Sequence, residues 1–322
     1  MPDPALIFAK ELDGLGGATE HTNLEKIKHS SQPVWCHFDA NHADAMESIR
    51  TNFPDIDEHS LAAVFDQDAR PRILELDSGV LIILRGINHN EGDEPEDMVA
   101  IRLWVSDTRL ISLRYRKSRA VIEVADSFNK KQSPKSIGDI FATISFKLFS
   151  NIEIGVNALE EKIELLESHI LDKPDRQLRR DISEIRKSAI LLRRYIAPQK
   201  EAISQLHLTE LKWLSTKNLR YIHEAQNVLE RCIEKLDSIR ERTGIVKDDL
   251  VNALSDRLNR NLYVLSMVSA IFLPLGFLTG MFGINIGGMP GVDNNMAFLY
   301  FSGGLLVVVL FQLMLFKFFK WF

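Results

Sequence analysis

Apolar positions change texture along the chain. Between residues 33 and 116 they fall in short β-rich runs broken by turn residues. Residues 33–38, 72–76, 79–87, 99–105 and 110–116 read as strands. Asp77, Ser78 and Gly79 join the second and third, and residues 106–109 join the last two. Short helices are predicted from an Asp39 or Asn41 cap to about Phe53, over 58–67 and over 118–129. The acidic segment 88–97 reads as a hairpin loop, solvated in the simplest case. Residues 1–30, with Gly14, Gly16 and Gly17, are expected to be loosely ordered.

From Ser136 the texture is helical. Ser136 and Asp139 have capping-box spacing. That helix should run to about Leu171, where Asp172, Lys173 and Pro174 end it. A second is predicted over 176–206, interrupted near Pro198. After a break over 207–216 a very long helix begins at Asn218. Its apolar residues Ile222, Leu229, Ile233, Leu236, Leu250, Leu254 and Leu258 keep a spacing near 3.5 residues. Gly244 is its weak point. Unbroken to Phe282, it would span roughly 95 Å at 1.5 Å per residue. Such a stalk cannot bury its stripe alone, so packing on copies of itself and on the preceding helices is expected. The face with Glu230, Arg231, Glu234, Arg240, Glu241 and Arg242 reads as solvated and charge-paired.

Then charge disappears. Residues 262–282 and 297–316 are two uncharged apolar runs, each near the ~20 residues a helix needs to cross a bilayer. The fold class expected is an α+β domain, a long stalk helix and an all-α membrane part. The expected division is an α/β domain at 1–135, a helical hairpin at 136–217 and a stalk at 218–261. Spans follow at 262–285 and 297–316, separated by a loop at 286–296 and followed by a basic tail at 317–322.

Charge sets the orientation. Arg257 and Arg260 precede the first run, Lys317 and Lys320 follow the second, and the loop has one acid, Asp293, and no Lys or Arg. The positive-inside rule puts both termini in the cytoplasm. The stretch MPDPALIFAKELDG has no basic region followed by an apolar run, so no signal peptide is expected. A net charge of −5, with no dense basic block, gives no nucleic-acid footprint. Two distant cysteines, Cys36 and Cys232, form no disulfide framework. Cys36 and His37, adjacent in a strand, point to opposite faces and make a poor chelate. No nucleophile–base constellation, phosphate loop or HExxH motif speaks for an enzyme.

The run from Pro274 through Gly280 and Gly283 to Asn285 carries the Gly-x-Asn signature that closes the first span in the CorA superfamily of divalent-metal transporters. Met289-Pro290 in a short outer loop and the basic tail also match, and the resemblance covers the whole layout. Gly291 stands where magnesium-type members usually carry an acid, so the loop is more similar to the zinc-transporting ZntB branch. The resemblance implies a homopentameric funnel in the inner membrane, with the first span lining the pore. It implies zinc or another divalent cation as cargo, with proton coupling and direction left open, and no cofactor.

Between Leu262 and Phe316 there is no His, Cys, Glu, Lys or Arg, and the one Asp is Asp293. Zinc bound directly wants such ligands, so the ion should cross at least partly hydrated. Gly283, Ile284 and Asn285 are the expected filter, with the Asn285 amide oxygen accepting from the ion's water. Counting back at helical spacing gives a stripe of Gly280, Gly276, Leu273, Ser269, Ser266, Leu262 and Asn259. Leu273 and Leu262 are candidate apolar gates, and Asn259 a polar ring at the inner mouth. Pro274 frees the Ala270 carbonyl, to bend the span or to face the pore. Asp293 is a weak external attractor for cations, screened within ~8 Å at physiological salt. The rival reading for Gly280 and Gly283 is close helix packing, and for Ser266 and Ser269 bonding to their own helix. The rival functions are a magnesium or cobalt channel, whose zinc flux would vanish in excess magnesium, and a poreless membrane-anchored coiled-coil scaffold, which would pass no metal.

Overall fold

The computed structural model describes residues 3–67, 70–128, 133–172, 175, 177–206, 211–283 and 294–319. A seven-stranded sheet carries the N-terminal part, in the order β2-β1-β3-β7-β6-β5-β4. Its strands are β1 (Leu6–Leu12), β2 (Ala18–His21), β3 (Val34–Asp39), β4 (Arg72–Leu76), β5 (Gly79–Gly86), β6 (Val99–Val105) and β7 (Arg109–Arg114). β3 and β7 run parallel, and every other neighbouring pair is antiparallel.

Side chains alternate across each strand, and the sheet buries both faces. Leu81 and Ile83 join Phe38, Trp104 and Leu113 in a core shared with α1 (Ala45–Asn52) and α2 (Glu58–Phe65). Gly86, on the opposite parity, lies under the α4 (Ile137–Asp172) residue Leu148, 2.3 Å from where a β-carbon would stand. α3 (Arg119–Ser127) precedes α4, and α5 (Leu178–Gln205) packs on β4 and β5.

Residues 3–30 are not loosely ordered. β1 and β2 form a hairpin at the sheet edge. One Asp13 carboxylate oxygen accepts the N–H groups of Leu15, Gly16 and Gly17 at 2.7–3.0 Å. Gly14 and Gly16 sit at φ +73° and +104°, so these glycines make a turn rather than slack. The first helix starts later than expected: Asp44, not Asp39 or Asn41, precedes it, and Asp39 accepts the Asn41 N–H in a turn instead. Nor does Pro198 interrupt α5. Ile196, Gln199, Ala202 and Ile203 are buried on either side of it, and that packing outweighs one lost rung.

Capping at the start of α4 works as expected. The Asp139 N–H donates to Ser136 Oγ at 3.1 Å, while its carboxylate accepts from Lys135 N at 3.1 Å. α6 is one helix of 68 residues, Thr216–Gly283, passing Gly244 without a break. The chain divides into two compact units, Met1–Asp248 and Asp249–Phe322. α7 (Ala297–Phe318) belongs to the second.

Candidate ion pathway

Within the first unit α6 is held along one seam. Ile222, Ala225, Leu229, Cys232, Leu236, Ile239, Thr243 and Val246 are all buried, at alternating intervals of three and four. That is a heptad seam closed inside one chain. Ile233, expected in the stripe, lies beside it and is only half-buried. Its neighbour Cys232 takes the seam place, and burial pushes that thiol up to about 12. Charged rungs flank the seam. Arg231 meets Glu153 at 3.1 Å, Lys235 meets Glu160 at 2.8 Å and Arg242 meets Glu167 at 2.6 Å, all on α4. Lys200 and Arg193 of α5 meet Glu230 and Asp237, each at 2.7 Å. The charged face is therefore paired between helices.

Cys36 and His37 are both buried in the sheet. His37 Nδ1 lies 2.8 Å from Ser112 Oγ, which also accepts from Trp35 Nε1 at 2.8 Å. Burial, with the Arg114 charge adding to it, brings the imidazole down to about 3, and burial pushes the Cys36 thiol up to about 12. The histidine is neutral and committed to the sheet. Among the described residues no cluster of three or more His, Cys, Asp or Glu stands ready for a metal.

In the second unit α6 and α7 are both long and apolar enough to cross a membrane. One face of α6, with Met267, Ala270, Ile271, Pro274, Leu275 and Leu278, is half-covered. The matching face of α7 carries Ser302, Leu305, Val308, Val309, Gln312 and Phe316. Phe282 and Phe301 rings stand 5.0 Å apart, and Gln312 Nε2 donates to the Ala270 carbonyl at 3.2 Å. The freed carbonyl thus faces α7 and not a pore.

Asn259, Leu262, Ser266, Ser269, Leu273, Gly276 and Gly280 are all exposed, as is Gly283. At about 100° per residue they share the side of α6 turned away from α7. Leu273 is 74% exposed and Leu262 51%. A β-carbon added at Gly276, Gly280 or Gly283 would meet nothing within 4 Å. α7 therefore makes no demand for glycine at these positions. The same holds for Gly303 and Gly304 of α7. Within this span the Thr279 hydroxyl bonds back to its own helix, to Leu275 O at 2.9 Å. Ile284, Asn285 and Asp293 lie outside the described residues. The sequence reading missed Gln312. Its signal was a single amide in an apolar run, on the helix following a span that contains a proline.

The family of CorA-like Mg2+ transporter proteins matches residues 30–318. Zinc transport protein ZntB of Yersinia enterocolitica is 32% identical over 304 residues, covering 94% of this chain and 92% of that protein. Divalent cation transporter CmaX of Pseudomonas aeruginosa is 31% identical over 298 residues, 89% of this chain and 88% of that protein. The solved structure of full-length CmaX superposes with a TM-score of 0.84 at 29% identity, over 100% of this chain and 99% of that one.

Proposed function

The chain belongs to the CorA-like Mg2+ transporter family, and on that premise we propose that it carries zinc in preference to other divalent cations, through a pore lined by α6 of five copies. The exposed stripe from Asn259 to Gly280 carries this reading. It is free of titratable groups, mixes small, hydroxyl and leucine positions, and lies where α7 leaves α6 uncovered. An ion passing such a wall keeps its water, because nothing there replaces an inner-shell ligand. Asn285 meets the hydrated ion at the outer mouth through its amide oxygen. The preference for zinc is supported by the zinc-transport relatives at 32% identity across nearly the whole chain. The protein sits in the cytoplasmic membrane with both termini in the cytoplasm, a reading supported by the basic residues flanking the spans. None of the relatives described above is an enzyme by name.

The test is zinc uptake into proteoliposomes, read by an internal dye, with and without a pH gradient. Zinc flux that persists in excess magnesium supports the proposal. Growth of that flux with the proton gradient marks a coupled transporter, and indifference to pH marks a passive path. Magnesium passing without zinc would overturn the cargo, and no flux of either would overturn the pore.

A further inference from the structure

The pore reading leaves the one amide side chain of the second span, Gln312, unused. Gln312 follows Val307, Val308, Val309, Leu310 and Phe311 and precedes Leu313, Met314 and Leu315. An amide at that depth is costly unless its hydrogen bonds are met. Its Nε2 donates to the Ala270 carbonyl at 3.2 Å. Its Oε1 is buried and has no partner among the described residues. Half of the amide's capacity is thus left unmet, and the other half serves one acceptor.

That acceptor is the carbonyl an α-helix would bond to residue 274, where proline has no N–H to give. Left open in hydrocarbon, it would draw the span to turn towards another donor, and pore water is the nearest in kind. Ala270 lies on the α7 side, while Ser269, Leu273 and Gly276 lie on the side turned away. Holding the carbonyl therefore holds the stripe.

We propose that Gln312 is a positioning residue for ion passage: it takes the carbonyl that Pro274 leaves open and so fixes the first span's rotation, keeping Ser269, Leu273 and Gly276 towards the ion path. This rests on α6 lining the pore. The requirement is an N–H at that reach. Methionine matches glutamine in length but has no N–H, and alanine at 274 would return the missing donor within the helix itself.

A double-mutant cycle on the full-length protein tests this, with zinc uptake read in proteoliposomes and oligomer size by gel filtration. Gln312→Met should lower flux about tenfold, in the range of a lost interhelical bond in a membrane. In the Pro274→Ala background the same change should alter flux by less than about twofold, because the two sites are coupled through one carbonyl. Wild-type flux in Gln312→Met would overturn the proposal, and so would an equal loss in both backgrounds, which a merely structural glutamine would give. If Gln312→Met loses its oligomer, recovery of the oligomer in the double variant supports the proposal and failure overturns it. Wild-type vesicles that pass no divalent cation would overturn the pore reading first, and this inference with it.

Discussion

The two units treat their helices differently. In Met1–Asp248 the apolar seam of α6 is buried and its charges are met by α4 and α5. In Asp249–Phe322 the same helix turns most of its surface outward, and α7 half-covers one face. In the first unit that seam is closed within one polypeptide. In the proposed pore the second would take the rest of its contacts from lipid and from other copies, and its exposed small residues fit that setting. Substitutions should therefore separate fold from transport.

The largest effect is expected at Asn285. Asn285→Ala should lower zinc flux at least about tenfold, the scale on which a lost charge-assisted hydrogen bond acts, with oligomer size and melting unchanged. Normal flux in a folded variant would remove Asn285 from the filter. Leu236→Ala in the seam should do the reverse. It should cost about 2–5 kcal/mol of stability by opening a cavity, read by thermal melting, while cation preference stays that of wild type.

His37 comes next. Its folded value of about 3 is below the ordinary 6.5. Above pH 6.5 neither state holds the proton, and stability does not depend on it. As pH falls from 6.5 towards 3 the unfolded chain takes up a proton that the buried ring refuses, so stability falls by at most ~1.4 kcal/mol per pH unit. His37→Asn, which keeps a polar side chain but does not titrate, should flatten that part of the melting-versus-pH curve; an unchanged slope would assign it to other groups. The smallest effect is expected from Arg242→Ala, which removes a half-exposed rung to Glu167. About 0.2–1 kcal/mol should be lost at low ionic strength and less in high salt.

Much of the fold was legible because periodicity and burial agree. Strands β3 to β7 and the 68-residue helix follow the runs that predict them. The N-terminal hairpin was not legible, because glycine count signals freedom and only the Asp13 carboxylate turns that freedom into a fixed loop. The seam was legible in part. Leu229 and Leu236 stand out, but Ala225, Cys232 and Thr243 hold seam places with small or polar side chains that no apolar count selects. The candidate stripe followed from helical spacing counted back from Asn285, a position that the family resemblance supplied, and it falls on the uncovered side of α6. Gln312 was legible only as a lone amide in an apolar run; its partner, the Ala270 carbonyl, lies on another helix, and a local pattern does not name it.

The rungs between α4 and α6 also carry a direction. Glu153, Glu160 and Glu167 meet Arg231, Lys235 and Arg242 at sequence separations of 78, 75 and 75. Both helices therefore ascend together, and their macrodipoles lie side by side with like ends adjacent, an arrangement that repels. Asp139 stands at both positive ends: it lies in the first turn of α4 and accepts from Asn218 Nδ2, in the first turn of α6, at 2.7 Å. One carboxylate thus serves as counter-charge to two helices, worth about 0.3–1 kcal/mol at each terminus. The parallel pair is electrostatically tolerable because its two amino ends share an anion.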